Sequence, residues 1–169
     1  TLRTAATLNA TINKANPTPE VAVGGSFYYT LDVNNTSNVD LEGFTLSDPL
    51  PENFALTSIR MPTVINGPGT SFISIKYRLS DTGTTEYDWP GGPWPSGTGT
   101  TLNVSALSLS AGIYVSYLHF RFGNVAYNFA IQTEARLNGT LISPGWATGQ
   151  VIANGSTVCN TAYLEATYL

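Results

Sequence analysis

The sequence predicts an all-β sandwich, and three observations carry that expectation. Apolar residues recur at every second position over several segments. Turn-forming Gly, Pro and Asn separate those segments at short intervals. Charged residues make up only 11% of the 169, against roughly 25% in an average soluble protein. Thr, Ser, Asn and Gly carry the polar surface instead. Surface helices need Glu, Lys and Arg, whereas Thr, Val, Tyr and Ile suit a pleated sheet and Gly, Asn and Pro its corners. The hydrophobic share of 42% is enough for one core of ordinary domain size.

In residues 1–13, Leu2, Ala6, Leu8, Ala10 and Ile12 share one parity, and Arg3, Thr7, Asn9, Thr11 and Asn13 the other. That pattern is a half-buried strand, about 40 Å long when extended. Asn16-Pro17-Thr18-Pro19-Glu20 interrupts it. Val21 and Val23 lead into the turn Gly24-Gly25, after which Phe27, Tyr29, Leu31 and Val33 alternate. A polar turn over 34–38 precedes a strand with Leu41, Phe44 and Leu46, ended by Asp48-Pro49-Leu50-Pro51. Ile73, Ile75, Tyr77 and Leu79 alternate again. Residues 81–100 read as a long Gly/Pro/aromatic loop. Residues 113–122 are apolar on both parities, as a central strand requires. Phe129, Ile131, Ala135 and Leu137 predict a further strand, 151–153 a short one, and 158–169 the last. Short strands spaced by turn signals read as a sandwich.

Composition narrows the function. Net charge is −4, and Lys14 and Lys76 are the only lysines. Nucleic-acid binding needs a basic stripe, which is missing. No apolar run approaches the roughly 20 residues of a membrane-spanning helix. A start at Thr1 rather than Met fits a mature exported product or a piece of a longer chain. The lone Cys159 excludes an internal disulfide, so an exported domain needs another source of stability. Sequons stand at Asn9, Asn34, Asn35, Asn103, Asn138 and Asn154. They are candidates for N-glycosylation, and hence for a surface location. A chain rich in Asn, Ser and Thr also forms such tripeptides by chance.

The stretch from Lys14 to Pro51 carries a lysine near its start, Val23-Gly24-Gly25, Tyr29-Thr30, Asn35-Thr36-Ser37 and the corner Asp48-Pro49-Leu50-Pro51. Near the other end stands Asn160-Thr161-Ala162. These residues resemble the conserved repeat domain of prokaryotic surface proteins, known as domain of unknown function eleven. The resemblance covers both ends well and the middle poorly. It implies an immunoglobulin-like sandwich in cell-surface stalks and adhesins, and no enzyme. Such domains recur in tandem, but here one copy stands behind the extra strand of residues 1–13. That arrangement is similar to pilins that polymerise by donor-strand complementation, the glycosylated archaeal thread filaments among them.

The expected organisation is therefore a donor strand over 1–13, presenting Leu2, Ala6, Leu8, Ala10 and Ile12, and an immunoglobulin-like sandwich over 14–169. The expected function is that of a structural subunit of an extracellular filament at the cell surface. Its partners would be further copies of itself and covalent N-glycans, with no cofactor. The alternative is a stalk, spacer or adhesin domain of a larger surface protein. An ordinary first strand folded onto its own sheet is the competing reading of residues 1–13.

One constellation could carry chemistry. Lys14 continues the apolar parity of Ala10 and Ile12, Asp48 that of Phe44 and Leu46, and Asn160 that of Val158 and Ala162. A lysine, a carboxylate and a carboxamide would then all point inward. Burial lowers the lysine pKa and raises the carboxyl pKa, which suits an isopeptide crosslink between Lys14 and Asn160 assisted by Asp48, as in Gram-positive pilins. Asp48 also suits a turn before Pro49, and Asn160 suits the pairing of backbone groups. Tyr87, Trp89 and Trp94 could stack on sugar rings or pack on the sandwich itself. Asp81, Glu86 and Asp88 lack the spacing of a known calcium loop. His119 reads as a core or edge histidine, and Cys159 has no paired metal-ligand spacing. No hydrolase, zinc-protease or phosphate-loop motif is present.

Overall fold

A computed structural model of the chain describes residues 10–15, 20–65 and 72–168. Two antiparallel sheets pack face to face in a β-sandwich. The first contains β1 (Ala10–Ala15), β2 (Ser26–Asn35), β4 (Phe54–Arg60), β5 (Thr63–Ile65), β9 (Thr101–Asn103), β11 (Ala130–Thr133) and β12 (Ala135–Leu141). Across it, β1 pairs with β2, β2 with β12, β12 with β4, and β4 with β9. The second has the order β13 (Tyr163–Tyr168), β3 (Leu41–Pro49), β10 (Val115–Val125), β6 (Phe72–Leu79) and β7 (Tyr87–Asp88). β8 (Trp94–Pro95) adds to β6, and Val104–Leu107 form a 3-10 turn.

Alternation decides which face each side chain joins. Phe27, Tyr29, Leu31 and Val33 of β2 are buried, while Tyr28, Thr30, Asp32 and Asn34 between them are only half-buried. β10 is central in its sheet and buries Leu118, Phe120 and Phe122. In β3 the buried set runs Leu41, Phe44, Leu46, Ser47 and Asp48, with Phe44, Leu46 and Asp48 on one parity. The parity changes at Gly43, where φ is +61°, and the β10 register shifts opposite it. Such a bulge bends the strand and re-aims the side chains beyond it, and here it turns Asp48 inward.

Several boundaries differ from the sequence expectation. β4 shows no alternation, because Phe54, Ala55 and Leu56 are all buried in succession, and β5 spans only three residues. The segment with Phe129 to Leu137 is two strands, parted at Glu134. Residues 151–153 form no strand, and the last strand starts at Tyr163 rather than 158. The expected loop over 81–100 is folded back on β6. Trp89 and Trp94 are 3% and 8% exposed and belong to the core, and the Trp89 ring meets Tyr77 edge-on at 5.4 Å.

Candidate functional site

β1 lies at the edge of the first sheet, hydrogen-bonded to β2 alone among the described residues. Its register sets Lys14 opposite Leu31. Residues directly opposite in an antiparallel pair share a face. Leu31 is fully buried, so Lys14 also points inward. β13 lies at the edge of the second sheet on the same side of the sandwich, and the two strands touch. Asn160 stands three residues before β13. Asp48 is near the end of β3, between the two edges. Its side chain has no exposed surface and that of Lys14 only 11%.

The three groups meet. Lys14 Nζ donates to Asp48 Oδ1 at 2.8 Å and Oδ2 at 2.7 Å. Asn160 Nδ2 donates to the same Oδ2 at 3.5 Å. Asn160 Oδ1 is buried without a hydrogen-bond partner among the described residues. The Tyr29 ring lies under the ammonium, 4.9 Å from Nζ to the ring centre. Burial pulls the Lys14 pKa below its ordinary value, against the Asp48 carboxylate, which acts to raise it. Burial pushes the Asp48 carboxyl up, against the opposing pull of Lys14 and Asn160. The Tyr29 phenol is pushed up to about 12, by burial first and then by Asp48 and Cys159. In both members of the pair, loss of solvation outweighs mutual attraction, as expected of charges taken out of water. The site thus holds an amine, a carboxyl group and a carboxamide: a nucleophile, a proton carrier and an acyl carbon.

The other sequence candidates are dispersed. Leu2, Ala6, Leu8 and Asn9 lie outside the described residues. Ala10 and Ile12 fall in β1, opposite Asn35 and Val33 of the same chain. β1 therefore runs across the expected boundary between residues 13 and 14. Of the sequons, Asn103 and Asn154 are exposed and Asn34 is half-buried. Asn35 needs correction: it is 5% exposed, and its Nδ2 donates to the carbonyls of Val39 and Ala126. A glycan there would displace both bonds. Asn138 is half-buried and held by Arg136 and Ser58. The packed tryptophans leave only Tyr87 of the aromatic loop exposed. Glu86 is engaged by Arg78 at 3.2 Å and by His119 at 3.5 Å, and Asp88 by Lys76 at 3.2 Å. His119 thus sits in a polar cluster beside β6. Cys159 is exposed.

Sequence reasoning overlooked the Tyr29 ring beneath Lys14. Its inward parity was visible, but its place needs the β1–β2 register. No protein-family model matches the chain, and no curated protein is similar to it. The resemblance drawn from residues 14–51 and 160–162 therefore rests on those residues alone.

Proposed function

We propose that this protein is a structural subunit of an extracellular, pilus-like filament, joined head to tail through its N-terminal residues. One observation carries the reading. β2 ends at Asn35, opposite Ala10, and the chain then turns toward β3. In the sequence, residues 1–9 continue the alternation of β1. An alternating N-terminal segment of this kind is suited to complete another sheet, where main-chain bonds give affinity and alternate side chains give fit. Leu2, Ala6 and Leu8 would supply that fit. Within the first sheet, the spatial order β1–β2–β12–β4 is similar to the A-B-E-D order of immunoglobulin-type sandwiches, but β6 and β10 of the other sheet intervene in the chain between β4 and β12. The exposed Asn103 and Asn154 suit a glycosylated, surface-located subunit.

The pairing of β1 within its own chain favours a second reading, a self-contained stalk or spacer domain. Electron microscopy of the native material separates the two. Filaments with one subunit per repeat support the first, and monodisperse particles the second. Deleting residues 1–9 should abolish filaments while leaving a folded, soluble chain. Filaments unchanged by that deletion would sink the donor-segment reading.

A further inference from the structure

We propose that Lys14 and Asn160 become joined by an isopeptide bond, formed by the protein itself with Asp48 as the catalytic residue. This goes beyond the filament reading and does not depend on it, since every group involved belongs to one chain.

The geometry supplies each part of the reaction. Asp48 touches both reacting side chains, at 2.7 Å to the amine and 3.5 Å to the carboxamide. A proton passes from the Lys14 ammonium to the Asp48 carboxylate, leaving a neutral amine and a carboxylic acid. Burial favours this exchange, because it turns two buried charges into two neutral groups. The amine lone pair attacks Cγ of Asn160. The protonated carboxyl donates to the carboxamide oxygen and stabilises the developing oxyanion. That oxygen has no hydrogen-bond partner among the described residues, and a half-turn of the carboxamide presents it to Asp48. Assignment of amide oxygen and nitrogen follows from such networks, so protonation of Asp48 itself favours the turn. Asp48 then carries the second amine hydrogen to Nδ2. The Nζ–Cγ bond forms, the Cγ–Nδ2 bond breaks, and ammonia leaves. The reaction needs no oxidant or cofactor. Lys14 is held by β1 and Asn160 by the segment leading into β13, which replaces a bimolecular encounter by a positioned one.

The location gives the bond a purpose. Lys14 belongs to the edge of one sheet, and Asn160 leads into the edge strand of the other. The bond would link the two sheets on the side where β1 has no second hydrogen-bonded neighbour among the described residues. An edge strand held by one ladder can peel, and a covalent tie to the opposite sheet prevents it. Disulfides serve this end in other exported sandwiches, and the lone Cys159 rules one out here.

Intact-mass spectrometry of the purified full chain is the test. The expected mass is about 17 Da below that of the sequence, one ammonia lost in the covalent step. Proteolysis should release a branched peptide that joins the Lys14 and Asn160 segments. The full sequence mass in folded, aged protein overturns the proposal. So does a loss of ammonia that maps elsewhere, such as to the Asn–Gly pairs at 138–139 or 154–155. Peptide mapping of the unaltered chain decides this even if variants fold poorly. Among folded variants, Lys14→Arg and Asp48→Ala should retain full mass. Asn160→Asp should lose about 18 Da instead, because water replaces ammonia as the leaving group.

Discussion

Replacing Lys14 by arginine isolates what the covalent bond does for stability. A guanidinium can still face Asp48, but it stays protonated and cannot attack a carboxamide. The bond would close a loop from residue 14 to residue 160, nearly the whole described chain. Constraining an unfolded loop on the order of 150 residues removes entropy equivalent to about 5 kcal/mol at 25 °C. For a chain of this size, that corresponds to a midpoint lower by about 10–20 °C in the variant. Fluorescence of the buried Trp89 and Trp94 tracks thermal and guanidinium unfolding. The variant should also show a steeper denaturant dependence, because its unfolded state is less constrained and exposes more surface. Arginine's own packing cost is measured by making the same change in an Asn160→Ala chain, which lacks the bond already. The difference between the two backgrounds is the contribution of the crosslink. If Lys14→Arg costs the same in both, while the parent chain carries the bond by mass, the entropic reasoning fails.

Three further predictions rest on other parts of the fold. A Cβ at Gly139 would overlap the Phe54 ring and lie 2.6 Å from the Ala55 carbonyl oxygen; Gly139→Ala should therefore destabilise by about 1–3 kcal/mol, read by chemical denaturation, and an unchanged midpoint would contradict the close approach of β12 and β4. Glu52 accepts hydrogen bonds from the Thr148 amide at 2.6 Å, the Thr148 hydroxyl at 2.8 Å and the Ala147 amide at 3.2 Å, and the Thr148 bonds hold its pKa below the ordinary carboxylate value. Its stabilisation of that loop is full above the unfolded pKa and lost as pH falls through the lower folded one, so exchange at Thr148 should quicken in acid and in Glu52→Gln; protection equal to that of the parent would refute the clasp. In material from the native source, glycopeptide mapping should find sugar at Asn103 or Asn154 and none at Asn35, and a glycan on Asn35 would contradict its buried hydrogen bonds.

The candidate site was partly legible because side-chain parity survives without a structure. Lys14, Asp48 and Asn160 each extend an apolar parity, and each projects toward the same interior. Their convergence was not legible. It depends on the Lys14–Leu31 register, on the bulge at Gly43, and on β13 lying beside β3. The aromatic loop misled for a related reason. Trp89 and Trp94 sit among glycines and prolines with no period to show which way they face, and only their packing against β6 settles it. Asn35 looked like any surface sequon until its amide was found bridging Val39 and Ala126.

Local chemistry in the sequence determined that the chain forms strands, where most of them turn, and which face of β2 and β3 is apolar. A period of two and the turn preferences of Gly, Pro and Asn act within a few residues, so they can be read along the chain. Tertiary structure alone decided which strands become neighbours, that β1 and β13 border the same open side, and that an amine, a carboxyl and a carboxamide from residues 14, 48 and 160 share one buried site. Those outcomes depend on contacts between residues far apart in sequence. Such contacts arise only once two sheets bury their apolar faces together, and no local pattern encodes them.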